Sequence, residues 1–195
     1  MNRIPLHTLE NAPEASRPML EILAHRSQSV GRLLNLHAEM AHAPVVLAAY
    51  TGMRRAVDEH ATLDPRTRTA VMLASGAVQG SAYPAALNAM LAGARGWSEA
   101  EAAALRAGDR ANDRRLEALL AVVREAARES GRVSETAWSQ ARAAGWTAVQ
   151  LLEAFTVAQL TLFVGAFTHL AGTTVDVPAA MPARAGAHAL EALDS

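Results

Sequence analysis

Five positions near the middle of this chain have the residue types and spacing to form a small polar site: Thr69, Ser81, Tyr83, Pro84 and Asn88. Hydroxyls and a carboxamide can donate and accept hydrogen bonds, but none of them exchanges a proton near neutral pH. The chemistry open to this set is recognition of a small polar or anionic compound. A nucleophilic role for Ser81 would need a neighbouring base and an orienting acid. Nothing at a recognisable spacing supplies them, so capping a helix or lining a pocket is the simpler role. The plainer alternative for Thr69, Tyr83 and Asn88 is a polar cluster satisfied within the chain, since inward polar groups need partners with or without a ligand. The chain contains no cysteine. A reaction in which one thiolate attacks and a second thiol resolves the intermediate is therefore closed to it.

Acid–base groups that could serve the set are few. His60 precedes the central helix and could reach a pocket mouth, although a loop histidine is more often solvated. His169, near the end of the last helix, could equally be a cation facing exposed carbonyls. No H-x-x-E-H or H-E-x-x-H spacing occurs, and His37 and His42, five apart, do not align on one helix turn. No metal site and no cofactor are expected.

Two helices must position these residues. Asp64 is a good N-cap and Pro65 suits the first helical position, where its missing N–H costs nothing. That helix is predicted to run to about Gln79, with a break at Gly80-Ser81. A second starts near Tyr83-Pro84 and ends at about Arg95, with Gly96 as the stop. Thr69, Met72, Leu73 and Gly76 share one stripe of the first helix. On the second, Ser81, Pro84 and Asn88 share a face, with Tyr83, Leu87 and Met90 on the adjacent one. Antiparallel or steeply crossed packing is expected to bring Thr69, Ser81, Tyr83 and Asn88 into one cavity. The helix N-terminus near Tyr83 would then favour an anion.

The frame LDPR-x-R-x-x-V…G-x-x-Y-x-x-A…A…G-W-S-x-x-E, from Leu63 to Glu101, resembles the carboxymuconolactone decarboxylase / alkylhydroperoxidase D-like (AhpD-like) family. The core motif of that family is E-x11-C-x-x-C-x3-H. Where it has glutamate this chain has Thr69; the two cysteines are Ser81 and Pro84, and the histidine is Asn88. The resemblance covers most of Arg3 to Pro178, including the RIPL segment and the closing HLAGTTVDVP. It implies an all-α, AhpD-like helical bundle over residues 1–178 with a C-terminal tail over 179–195, and a homo-oligomer, a trimer or hexamer. It does not carry the family's redox chemistry, because the letters that perform it are replaced.

The rest of the chain fits a helical domain. Of 195 residues, 51% are hydrophobic but only 4% aromatic, so close helix–helix contacts must build the core. All 18 basic residues are arginine and the net charge is −1, with no basic block, which argues against nucleic acid as a partner. The opening MNRIPLHTLENAPEASRP lacks the apolar run of a signal peptide, and a cytoplasmic location is expected. After an extended arm to Pro13, helices are predicted at Glu14–His25, Val30–Met40 and Pro44–Glu59. Beyond the central pair, Ser98 and Glu101 form a capping box whose short helix ends near Ala107-Gly108. Helices follow at Leu116–Glu129, from Ser134 to about Ala144, and from Thr147 to about Ala171. Gly96-Trp97-Ser98 and Gly145-Trp146-Thr147 lead into matching capping boxes, the second with Gln150, so a helix–GW–helix unit occurs twice.

The last helix carries a single charge, Glu153. Gln150, Thr156, Gln159, Thr161 and Thr168 would be costly in lipid, so a helix buried on most faces, as in an oligomer core, is expected rather than a membrane span. Two functions remain open at this point. One is a non-redox enzyme acting on a small organic acid or lactone. The other is a catalytically silent binding or scaffold oligomer that keeps the cavity.

Overall fold

The computed structural model describes residues 2–27 and 32–177. Among them the chain forms nine α-helices and no strand. Their order is α1 (Arg17–Arg26), α2 (Asn35–Met40), α3 (Pro44–His60), α4 (Pro65–Gln79), α5 (Ala82–Ala94), α6 (Glu99–Ala107), α7 (Arg114–Arg128), α8 (Glu135–Ala143) and α9 (Ala148–Ala171). The first predicted helix divides into a 3-10 turn, Glu14–Ser16, and α1. The second is short, because helical geometry begins only at Asn35. The tail over 179–195 lies outside the described residues.

The central helix forms as its caps dictate. The Asp64 carboxylate accepts from the Thr67 N–H at 2.9 Å, and Gly80 closes the helix at φ 62°, a left-handed turn that glycine enters without a Cβ penalty. Between them Thr69, Ala70, Val71, Leu73, Ala74, Ser75 and Gly76 are buried. A helix buried on nearly every side needs small residues so that its neighbours can approach, and α5, α6, α7 and α9 all pack on it. At its end, the Gln79 amide donates to the Leu162 carbonyl at 3.0 Å and crosses α9 at Gly165, where a Cβ would collide with it.

The duplicated unit is longer than the GW turns alone. Equivalent residues are offset by 49 positions, Asp64 to Asp113 and Trp97 to Trp146, so the N-caps of α4 and α7 correspond. In each unit an arginine lies over a tryptophan ring: Arg66 at 4.2 Å from the Trp97 centroid and Arg115 at 4.3 Å from that of Trp146. Each indole N–H donates to the carbonyl of that same arginine, at 3.1 and 2.7 Å. Both expected capping boxes are present, Ser98 with Glu101 and Thr147 with Gln150.

Two apolar cores result. One lies within the repeats and joins α4, α6, α7 and the first half of α9 through Leu73, Leu105, Leu119, Leu120, Trp146 and Val157. The other lies under α1–α3 and includes Leu20, Leu36, Met40, Leu47, Tyr50, Tyr83 and Val164. Glu153, the single charge of α9, accepts from the backbone N–H groups of Thr62 and Leu63 at 2.9 and 3.0 Å, fixing the entry to α4. Helix α9 is long and apolar enough to cross a membrane by length and composition. Its inner side, however, packs on α4 and α7. Its outer side leaves Val149, Leu152 and Phe155 exposed.

The chain closes on itself. The Arg3 N–H donates to the Ala171 carbonyl at 2.7 Å, and the Asn2 side chain accepts from the Thr174 N–H and hydroxyl at 3.0 and 2.7 Å. The segment after α9 then runs back to α2, where the Asn35 N–H donates to Asp176 at 2.9 Å.

Candidate functional site

Ser81 and Asn88 stand on the wall of one cavity, as their shared helix face predicts. Ser81 is the N-cap residue of α5 and is buried, yet its hydroxyl does not cap the helix. It lies 3.1 Å from the Thr168 hydroxyl, which itself donates to the Gly165 carbonyl at 3.1 Å. With the Thr168 proton committed to Gly165, Ser81 is the donor of that pair, and its proton is tied to α9. The Asn88 carboxamide donates to the Met72 carbonyl at 3.0 Å across the α4–α5 contact. Gly76 faces this contact, and a Cβ there would just touch the Asn88 nitrogen and the Thr161 methyl at 3.4 Å. Pro84 fills the neighbouring space and has no reactive atom.

The cavity measures about 170 Å³ and is lined by Ser81, Asn88, Gly76 and Leu73 together with Arg106 from α6. The Arg106 Nε is buried without a hydrogen-bond partner. An N–H left unanswered inside the protein is costly; the guanidinium that carries it lines the cavity and sets a cation beside two neutral polar groups. Nothing in the sequence marks Arg106 as a site residue. An arginine in the last turn of a short helix ordinarily serves the helix dipole, and only the packing of α6 against α4 and α5 brings this one to the cavity.

The expected four-way convergence does not occur. Thr69 is buried and donates to the Pro65 carbonyl at 2.9 Å, one turn back on its own helix. It faces a separate cleft of about 80 Å³ with Met72, Leu91 and Val157. On the rim of that cleft the Asp58 carboxylate lies 3.7 and 3.9 Å from Arg54 and Arg68. Tyr83 points into the other core. Its hydroxyl donates to Asp176 at 2.7 Å and accepts from the Leu36 N–H at 3.3 Å. Burial first, and the Asp176 carboxylate second, push its phenol well above the ordinary tyrosine range. The reason for the separation is helix periodicity: two residues along α5 is a rotation of about 200°, so Ser81 and Tyr83 leave on opposite sides.

Neither histidine singled out in the sequence joins the cavity. His60 is 78% exposed at the end of α3, beside Glu59 at 3.8 Å, and His169 is exposed on the outer side of α9. His37 and His42 do not pair. His37 is buried against the Tyr50 hydroxyl at 3.2 Å, and His42 lies 3.0 Å from His7. Among the described residues no group of three or more potential metal ligands is found.

No family model matches the chain. No curated protein matches it either. Solved structures do. The chain is similar to the AhpD core of an uncharacterized peroxidase-related protein from Ralstonia eutropha JMP134, with TM-score 0.77 and 16% identity over 90% of this chain and 92% of that one. It is similar to an uncharacterized peroxidase-related protein from Silicibacter sp. TM1040, with TM-score 0.72 and 15% identity over 89% and 91%. It is also similar to the debrominase Bmp8, in a cysteine-to-alanine variant bound to 2,3,4-tribromopyrrole, with TM-score 0.73 and 14% identity over 100% of this chain and 97% of that one. At such identities the likeness is one of fold. The fold is AhpD-like and all-α, and the chain has no cysteine with which to run a dithiol reaction.

Proposed function

We propose that this protein uses the AhpD-like fold to bind a small organic acid in the cavity of Ser81, Asn88 and Arg106, without thiol chemistry. The Arg106 guanidinium on the wall of that cavity, beside Ser81 and Asn88, carries the reading. A carboxylate would accept from it in a charge-assisted hydrogen bond, and the neutral walls would orient the remainder of the ligand. The cavity's size favours a compound of few atoms. Its lining has no side chain that titrates near neutral pH, which favours binding over turnover. The likeness to the Bmp8 complex with a small halogenated ring is consistent with a fold that encloses compact ligands.

The test is a thermal-shift and calorimetric titration with acetate and propionate, with γ-butyrolactone as a neutral control. Saturable binding of an acid that Arg106→Gln abolishes and Asn88→Ala weakens by roughly tenfold, the effect of one to two hydrogen bonds, supports the reading. Acid binding unchanged in Arg106→Gln refutes it.

A homo-oligomer belongs to the same reading. Val149, Leu152 and Phe155, at 61%, 62% and 41% exposure, form an apolar stripe on one side of α9, and exposed stripes of this kind mark interfaces. Light scattering at micromolar concentration should give a multiple of the chain mass, and Leu152→Glu should reduce it. A monomeric mass for the unaltered protein removes the oligomer from the proposal.

A further inference from the structure

A second and larger cavity, about 570 Å³, lies where the two repeats meet and is walled by both Arg–Trp stacks. Its volume falls within the range of small-molecule sites. The charges on its walls are unequally committed. Asp64 accepts from the Thr67 N–H and hydroxyl at 2.9 and 2.6 Å, and Asp113 accepts from the Arg115 N–H at 2.8 Å. Glu101 accepts from the Ser98 N–H and hydroxyl at 2.9 and 2.7 Å and pairs with Arg66 at 3.7 Å. All three carboxylates are therefore engaged. Of the guanidinium groups, only Arg66 has one of them as partner. At the position equivalent to Glu101 the second repeat carries Gln150, so Arg115 lies on Trp146 with no carboxylate among the described residues to answer it. Arg110, from the α6–α7 loop, stands on the same wall and likewise has none.

The repeat thus supplies its own control: one Arg–Trp stack is neutralised from within the chain, the other is left positive. A guanidinium over an indole face still has N–H groups to offer a planar bidentate acceptor. Leu63, Leu105 and Leu116 give the cavity an apolar wall for the remainder of a ligand. We propose that the cavity between the repeats binds a small aromatic carboxylate, its carboxylate paired with Arg115 and Arg110 and its ring laid along the leucine wall. This site is separate from the Arg106 cavity and does not depend on it.

The probe is benzoate, followed by tryptophan fluorescence and calorimetry, with benzyl alcohol and inorganic phosphate as comparisons. The decisive variant is Gln150→Glu. It keeps a capping-box residue at its place and gives Arg115 the internal partner that Arg66 already has. The expected result is saturable benzoate binding that is at least tenfold weaker in Gln150→Glu and in Arg115→Gln, with benzyl alcohol and phosphate also at least tenfold weaker than benzoate. An unchanged unfolding midpoint for Gln150→Glu shows that the fold persists, so the test survives if Arg115→Gln is unstable. No saturable signal up to about 10 mM benzoate, ten times the Kd of a weak specific complex, overturns the proposal. So does unchanged binding in Gln150→Glu, or phosphate binding as tightly as benzoate. Because neither Trp97 nor Trp146 lines the Arg106 cavity, failure here leaves that reading standing.

Discussion

Around α4 the core is made of leucine, valine and alanine with one deeply buried indole, and the Trp97 and Trp146 N–H groups are answered by backbone carbonyls a fixed distance away in sequence. Under α1–α3 the core instead encloses His37, Glu39 and the Tyr50 and Tyr83 rings, flanked by Leu36 and Met40. Both regions bury apolar area, but only the second also buries groups whose charge depends on pH. The difference teaches that stability and pH response are carried by different parts of one small fold. The repeat core should hold above the carboxylate range, where its Asp64 and Glu101 caps, both with lowered pKa, are ionised, whereas the N-terminal core has a window.

The largest expected effect tests the first half of that comparison. Trp146 is 4% exposed, so Trp146→Ala should cost about 3–5 kcal/mol, the usual range for emptying a core ring site. The loss, read by urea unfolding, should be the same at pH 5 and pH 8. The equivalent Trp97 is only half-buried, and Trp97→Ala should cost less. Equal losses would mean that the two halves of the repeat contribute alike.

His37 tests the second half. Burial first, and the Arg54 cation second, lower its pKa from 6.5 to about 3. The unfolded chain then binds a proton that the folded chain refuses between those values. The contribution is fully present above pH 6.5 and falls as the pH drops towards about 3. The slope is at most about 1.4 kcal/mol per pH unit, or roughly 3 kcal/mol between pH 6.5 and 4. His37→Phe should flatten this limb of the stability profile. A profile identical to that of the unaltered protein would break the comparison.

The smallest effect has the opposite sign. Glu39 is 1% exposed; one carboxylate oxygen has no partner and the other accepts from the Thr173 hydroxyl. Burial raises its pKa, the Thr173 bond opposes that, and the nearby Asp176 charge adds to the rise. A raised carboxyl stabilises fully below the ordinary carboxylate range and loses that contribution as the pH rises through it. Glu39→Gln should therefore stabilise the fold by about 1 kcal/mol at pH 7, roughly the cost of an unsatisfied acceptor, and change little at pH 4. A loss of stability at pH 7 would show that the charged form is needed.

Features written in short-range chemistry were legible from the sequence. The Asp64-Pro65 start, the Gly80 break and the two capping boxes each depend on residues within one turn, and each formed as expected. Contacts that join distant parts of the chain were not. Tyr83 was expected beside Asn88, but its partner Asp176 lies 93 positions away, and Glu153 meets Thr62 across 91. The turn of α5 that separates Ser81 from Tyr83 was readable, but which side each would meet was set by α2 and α9. The repeat was visible in its GW turns. Its full extent became plain only once Asp64 and Asp113 were seen capping equivalent helices, because the segments between them share little beyond pattern.

The bonds from Asn2 and Arg3 to Ala171 and Thr174 turn the described chain into a closed ring. Terminal segments ordinarily fray first, since they are held on one side only. In this molecule the opening of either end releases the other, and with it the Asp176 anchor on Asn35. Among the described residues, protease nicking should therefore begin at the exposed turn around residues 109–113 rather than at the N-terminal arm, and loss of the arm should be as cooperative as loss of a helix.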